Sequence, residues 1–84
     1  MTRLWPDGAP IVVQVDDDGR PLHFTWQGRA HPVELITRHW RVRVDWWRAA
    51  AWRDHFKLTT TTGLLVIIYC DLQTNDWFLQ RLFD

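Results

Sequence analysis

Seven consecutive apolar or aromatic residues at positions 64–70, Leu-Leu-Val-Ile-Ile-Tyr-Cys, constrain the fold of this chain more than any other stretch. The run is shorter than the roughly 20 residues of a membrane-spanning helix, and its branched side chains favour a strand over a helix. Polar, turn-prone segments at 59–63 and 71–76 separate it from two further strand-like runs. The sequence therefore predicts a buried β-strand in the middle of a three-stranded meander.

Alternating apolar and polar residues predict most of the remaining strands. Residues 11–15 are rich in β-branched side chains, and residues 22–26 alternate with the period of two expected for a half-buried strand. Asp-Gly at 18–19 and Gln-Gly at 27–28 predict tight turns on either side of the second run. The alternation changes phase near residues 36–39, which predicts a bulge or bend there.

These patterns predict an all-β fold, a small antiparallel meander of six to seven short strands that forms a partly open barrel or a sandwich. Three alanines at 49–51 favour at most one helical turn near residues 47–51. Residues 1–10 contain two prolines and a glycine and predict an irregular N-terminal arm. Residues 11–84 are then a single β domain with one core, since a chain of 84 residues has no room for two.

Charge, cysteine content and the first residues of the sequence indicate the environment in which we expect this protein to work. Ten basic and ten acidic residues give a net charge of zero, so nothing draws the whole molecule toward nucleic acid or membrane. The single cysteine, Cys70, cannot form an internal disulfide and is typical of a reducing compartment. The first residues lack the apolar run of a secretory signal. We therefore expect a cytoplasmic protein.

The titratable residues form no catalytic or metal-binding pattern. The histidines and Cys70 lack the spacing of a zinc site, and the aspartates at 16–18 lack the other ligands of a calcium loop. Cys70 with His55 and Asp54 is the best nucleophilic candidate. However, Cys70 ends an apolar strand, and adjacent residues on a strand face opposite sides. We therefore expect no enzymatic activity, no cofactor and no metal.

The segment 38–57 is the most distinctive candidate surface, because it carries six arginine or lysine residues against two aspartates and is interleaved with tryptophans. The last predicted strand, 77–83, is apolar on both faces, and consecutive tryptophans at 46–47 cannot both point into one interior. Surplus apolar side chains in a small domain favour a patch for a protein partner, and Trp and Arg are enriched at such sites. The candidate binding residues are Arg41, Arg43, Trp46, Trp47, Arg48, Arg53, Phe78 and Leu82.

Two alternatives to a protein-binding patch remain open. Arginines beside exposed rings hold phosphates and stack on bases, so the chain is alternatively a weak single-stranded nucleic-acid-binding barrel. The residues of this second hypothesis are Arg41, Arg43, Trp47, Arg48 and Arg53. The third reading is structural: the tryptophans belong to the core, and the N-terminal arm covers the apolar patch with Trp5.

An ordered set of short motifs carries a family resemblance over residues 19–84. In chain order these are Gly19-Arg20-Pro21, Trp26, Gly28, His31-Pro32-Val33, a Trp-Arg segment at 40–43, Trp46-Trp47, Arg53-Asp54-His55-Phe56, Gly63, Asp71, Trp77-Phe78-Leu79 and Leu82-Phe83-Asp84. The set resembles the C-terminal region of ImuB-type proteins, which are catalytically inactive relatives of Y-family DNA polymerases. It also resembles a family of small uncharacterised bacterial proteins that share this module.

The resemblance implies a protein-interaction or accessory domain in DNA repair, namely damage-induced, error-prone translesion synthesis as in SOS mutagenesis. The partner implied is a DNA-repair polymerase assembly. No polymerase activity is implied, because 84 residues hold no polymerase palm. The chain departs from the family pattern at His55-Phe56, where two tyrosine-type rings are usual, and in the alanine-rich segment 48–51.

Overall fold

The computed structural model describes residues 2–46 and 49–83 and consists of six antiparallel strands. They are β1 (Arg3–Val15), β2 (Pro21–Trp26), β3 (Arg29–Trp46), β4 (Ala49–Thr60), β5 (Leu65–Asp71) and β6 (Trp77–Phe83). Each strand pairs with the next, and β1 also pairs with β6, so the hydrogen-bonded strands close a ring. The predicted all-β antiparallel meander is confirmed. The described residues include no helix that could cross a membrane.

The turns form where the sequence predicts them. The Asp16 carboxylate accepts hydrogen bonds from the backbone N–H groups of Asp18 and Arg20, which closes the turn between β1 and β2. Between β2 and β3, Gln27 and Gly28 both adopt positive φ values of 51° and 74°. A two-residue hairpin turn of this handedness matches the natural twist of the flanking strands.

The core lies on the inner face of the ring, and β5 supplies its centre as predicted. Val66 and Ile68 of β5 are fully buried between β4 and β6. The other buried apolar residues of this cluster are Phe24, Phe56, Leu58, Leu79 and Leu82. Burial of each large apolar side chain contributes about 1.5–3 kcal/mol, and six of these seven side chains belong to β4, β5 and β6.

The N-terminal segment differs from the predicted irregular arm, because β1 begins at Arg3 and its first residues pair with β6. The pairing is interrupted between Leu4 and Ala9, where Gly8 has a φ of 79°. The segment therefore contributes to ring closure while keeping a local irregularity. In the alanine-rich stretch, residues 49–51 lie in β4 rather than in a helical turn, since they pair with β3; residues 47 and 48 lie outside the described residues.

The sheet is uneven because β3 and β4 are much longer than their neighbours. β2 pairs with only the first four residues of β3, from Arg29 to Pro32. β5 reaches no further along β4 than Arg53, which pairs with Asp71. Residues 43–46 of β3 and 49–52 of β4 thus form a two-stranded projection. We call this projection the arm, and we call residues 1–10 the N-terminal segment. The predicted bulge near 36–39 is confirmed by a register shift between Ile36 and Arg38.

Candidate interaction surface

The inner face of the β3–β4 hairpin carries cross-strand pairs of polar and aromatic residues, which lie between the buried core and the end of the hairpin. His39 pairs with the buried Phe56, and their rings stack at a centroid distance of 4.3 Å. Arg41 then pairs with Asp54, and Arg43 with Trp52. Trp52 lies one position beyond the last residue that pairs with β5, and although the Leu72 N–H donates to the Trp52 carbonyl at 3.0 Å, Trp52 is 45% exposed. The arm therefore presents a large aromatic ring beside two arginines.

Asp54 is held by a charge-assisted contact with Arg41. Arg41 donates from Nε to Oδ1 at 2.7 Å and from its Nη2 to Oδ2 at 3.3 Å, and His39 Nε2 lies 3.7 Å from Oδ1. These donors hold the pKa of the Asp54 carboxyl below its usual value, although partial burial works in the opposite direction. The same contact raises the pKa of Arg41. Arg41 therefore shares its charge with a neighbour on its own sheet.

Two adjoining clefts run along this inner face at one end of the ring. The larger, about 430 Å³, lies between the β1–β2 turn and the β5–β6 turn and is lined by Val13, Val15, Asp18, Gly19, Asp54, Phe56, Cys70, Leu72, Asn75 and Trp77. The smaller, about 290 Å³, is lined by Arg41, Trp52, Leu72 and Gln73. Leu72 lines both, so the two clefts lie next to each other on this face.

The outer face of β3–β6 carries a row of stacked rings, one from each strand. Trp40, His55, Tyr69 and Phe78 follow one another in register. Their centroids are 5.3, 5.1 and 5.1 Å apart, with interplanar angles of 20°, 24° and 23°. Offset stacking at these distances contributes about 0.5–1.5 kcal/mol per pair beyond burial. The row explains why β6 is apolar on both faces.

Other side chains and the N-terminal segment cover this aromatic row. The Tyr69 hydroxyl donates to the Asp7 carbonyl at 2.9 Å, and Gly8 packs directly on Tyr69 and Phe78. The guanidinium of Arg53 lies 4.7 Å from the centre of the Tyr69 ring. The structural reading, in which the N-terminal segment covers the apolar patch, is therefore right in part, because residues 7 and 8 form this second layer.

Trp5 does not contact the outer aromatic row in the way that the structural reading expects. It meets Trp26 edge to face at 5.3 Å and packs against the core.

His55 occupies an unusual position inside the row. It is only 5% exposed, and its Nδ1 atom is buried without a hydrogen-bond partner in the structure. Burial lowers the pKa of His55, because the imidazolium is poorly solvated between two rings. Burial likewise raises the pKa of Tyr69. The neutral forms of both rings are thus favoured, which suits a packing role for the row.

The predicted binding residues divide into three groups. Leu82 is 4% exposed and belongs to the core, so it is not available at the surface. Phe78 is half-buried in the outer row, and Arg53 covers a ring of that row. On the hairpin, Arg41 and Arg43 of β3 are exposed; Trp46 is the last residue of β3 and pairs with Ala49, while Trp47 and Arg48 lie outside the described residues.

Trp52 is the surface residue that the sequence analysis did not select. The period-two alternation of residues 52–58 groups Trp52 with Phe56 and Leu58, and in the structure these three residues share the inner face of β4. What the phase could not show is that β5 ends before it. The lengths of neighbouring strands, rather than any local pattern, make this ring accessible.

Cys70 and His55 do not form a reactive pair. Cys70 lies opposite Asp54 on the inner face, whereas His55 stacks in the row on the outer face. Burial raises the pKa of the Cys70 thiol to about 11, which disfavours a thiolate. Within the part of the chain that the structure describes, no three His, Cys, Asp or Glu side chains are grouped as metal ligands.

Comparison with known protein families assigns this chain to a family. Residues 7–84 fit the sequence model of DUF6504, a family described as a domain of unknown function. The match covers the ring from the interruption in β1 to the end of β6. Searches of curated proteins and of solved structures found no significant match. The comparisons contain nothing that tests the resemblance to ImuB-type proteins, and that resemblance stays a prediction.

Proposed function

The chain belongs to the DUF6504 family, and from this premise we propose that it is a non-enzymatic protein-interaction module that acts in bacterial error-prone DNA synthesis. Its partner is a component of the DNA-repair polymerase assembly, as the resemblance over residues 19–84 implies. The docking surface is the arm together with the adjoining residues of β3. The observation that carries the proposal is that this hairpin extends past its neighbouring strands and exposes Trp52 beside Arg41 and Arg43.

The chemistry of the arm suits a protein partner. Trp and Arg are the residue types that most often dominate binding energy at protein interfaces. The smaller cleft is lined by two apolar residues, Trp52 and Leu72, and by two polar residues, Arg41 and Gln73. An apolar anchor from a partner would bury the ring while polar groups at the rim keep their contacts.

The alternative of a single-stranded nucleic-acid binder has less support from the geometry. Base stacking needs open ring faces, but guanidinium groups already lie over two rings of the outer row, with Arg38 4.8 Å from the centre of Trp40 and Arg53 4.7 Å from Tyr69. Zero net charge also gives no long-range attraction to phosphates.

A genetic experiment tests the proposed role. The encoding sequence is deleted in its own bacterium, and the frequency of ultraviolet-induced mutations is measured after complementation with wild type, Trp52→Ala or Val12→Ala. Val12 is the matched control, because it is also an exposed apolar residue, at 66%, but lies on β1. We expect wild type and Val12→Ala to restore induced mutagenesis, and Trp52→Ala to fail at an equal level of folded protein.

An unchanged mutation frequency after deletion would remove the link to error-prone synthesis. Restoration by Trp52→Ala as efficient as by wild type would show that the arm is not the docking surface. A fluorescence titration with labelled single-stranded DNA at low salt separates the second hypothesis: binding that falls steeply with salt would favour it, and we expect none.

A further inference from the structure

The long strand β3 has an open edge. Among the described strands its backbone approaches only β2 and β4, and β2 covers no more than Arg29–Pro32. From residue 33 to residue 46 the ladder partners of β3 are all on β4. The backbone groups on the opposite edge of this stretch therefore have no strand to bond with. Such an edge is a template for an added strand.

The usable part of the edge is 38–46. Register shifts interrupt the β3–β4 ladder between Val33 and Leu35 and again between Ile36 and Arg38. From Arg38 onward the pairing continues without a shift to Trp46. A regular, twisted strand of this length is comparable with the stretches that peptides extend in strand-addition complexes.

From residue 39 to residue 44 the side chains along this edge alternate between two chemistries, whereas Arg38 lies on the outer face over the Trp40 ring. His39, Arg41 and Arg43 lie on the inner face, where they pair with Phe56, Asp54 and Trp52. Trp40, Val42 and Val44 lie on the outer face and are partly buried. Because side chains of an added strand also alternate, its residues would meet cations on one face and apolar groups on the other.

We propose that β3 residues 38–44 bind an extended peptide segment with alternating acidic and apolar residues, which adds as a strand to the open edge. This inference rests on the proposed interaction function and names the chemistry of its partner. Acidic side chains of the segment would face Arg41 and Arg43, and its apolar side chains would pack beside Val42 and Val44. Backbone hydrogen bonds to β3 would supply affinity, and the alternation would supply specificity.

A second copy of the chain is a poorer occupant of the same edge. An antiparallel pairing of two β3 strands centred on Val42 would place Arg41 of each copy opposite Arg43 of the other. Like charges that face each other across a strand pair are destabilising. Arginines on an edge thus discourage self-association while leaving the edge open to an acidic strand.

The test is an NMR titration of the isotope-labelled protein with synthetic peptides. The first peptide alternates aspartate and valine, the second alternates lysine and valine, and a third is the aspartate–valine peptide with N-methyl groups on the backbone nitrogens that would face β3. We expect the first to bind, to shift the amide signals of 38–44 and to slow their hydrogen exchange. The lysine peptide should bind at least about tenfold more weakly, since each cross-strand attraction becomes a repulsion.

Charge-reversal variants supply the matched protein control. Arg43→Glu should weaken the aspartate peptide and strengthen the lysine peptide. Arg20→Glu, an equal charge change at an exposed position in the β1–β2 turn, should alter neither. The variants are compared by their spectra to confirm that both remain folded.

Three results would overturn the inference: equal binding of the acidic and basic peptides, undiminished binding of the N-methylated peptide, or no binding of the aspartate–valine peptide. If mutagenesis still depends on Trp52 after such a result, the partner docks in the inner-face clefts and the proposed function stands. If instead the peptide binds as expected and deletion leaves mutagenesis unchanged, strand addition stands and the link to error-prone synthesis fails.

Discussion

Substitution of Gly8 by alanine tests how β1 closes the ring. Gly8 lies at the interruption of the β1–β6 ladder, with a φ of 79°. A Cβ atom at this position would lie 2.6 Å from Phe78 Cβ and 2.6 Å from the Tyr69 hydroxyl oxygen. Normal contacts between such atoms are about 3.5–4 Å, so the neighbours must move. Gly19 is the matched control: its φ is 80°, and a Cβ there would meet no atom within 4 Å.

Both substitutions carry the cost of a left-handed backbone, and Gly8→Ala also disturbs side-chain contacts. A left-handed backbone costs an alanine about 1–2 kcal/mol, and this applies at both positions. At Gly8 the added methyl also displaces the Tyr69 hydroxyl from its 2.9 Å hydrogen bond to Asp7, worth about 0.5–1.5 kcal/mol. Disturbing the stack of Tyr69 on Phe78 costs about another 0.5–1.5 kcal/mol. We therefore expect a loss of about 2–5 kcal/mol for Gly8→Ala and about 1–2 kcal/mol for Gly19→Ala.

Urea denaturation followed by tryptophan fluorescence measures both losses. The change in unfolded-state entropy from Gly to Ala is common to the two variants and cancels in their difference. For a domain of this size each kcal/mol lowers the melting temperature by about 4–8 °C, so thermal unfolding provides a second measurement. If Gly8→Ala is no more destabilising than Gly19→Ala, the close packing of β1 on the outer aromatic row does not limit stability and the argument is refuted.

Three further predictions concern titratable groups. Burial lowers the pKa of His55 in the folded state, so the unfolded state binds a proton at higher pH than the folded state does. The free energy of unfolding should therefore fall as the pH drops below about 6.5. Denaturation curves measured across pH should show a flatter dependence for His55→Gln. Because the pKa of buried Cys70 is raised to about 11, a thiol reagent at neutral pH should label native protein far more slowly than protein in urea. Arg41→Ala should raise the pKa of Asp54, measured by NMR of its carboxyl carbon, and an unchanged value would contradict the assigned contact.

Sequence patterns predicted the strands and turns well, because these depend on local chemistry. The apolar run at 64–70 gave the central strand, and the glycines after Asp18 and Gln27 gave two turns. Leu82 was assigned to the wrong face, because strict alternation groups it with Phe78. In the structure Ile67 pairs with Arg81 and Ile68 with Leu79, so Gln80 is an extra residue in β6. That one-residue bulge turns both Leu79 and Leu82 inward, and no local signal marks it.

The candidate surface depended on distances along the chain that no local pattern contains. Ring closure pairs β1 with β6, more than 60 positions apart, and the irregularity at Gly8 is visible only once that pairing is known. The exposure of Trp52 depends on where β5 ends, and the open edge of β3 depends on how short β2 is. Sequence analysis selected this hairpin through its arginines, but the reason that the hairpin is accessible is topological.

Because β3 and β4 are longer than their neighbouring strands, the arm is supported by the sheet at its base and accessible to a partner at its end. Where β3 and β4 are flanked by β5 and β6, their side chains fill a core on one face and a stacked row on the other. Beyond Arg53 the ladder with β5 stops, and apart from the hydrogen bond that the Leu72 N–H donates to the Trp52 carbonyl, the backbone pairs described for the hairpin are its own cross-strand pairs. An isolated hairpin is marginally stable in water, so the arm takes its order from the layered sheet behind it. A partner strand on β3 would supply a third strand beside the arm, and binding should therefore slow exchange of the arm amides as well as those of the β3 edge.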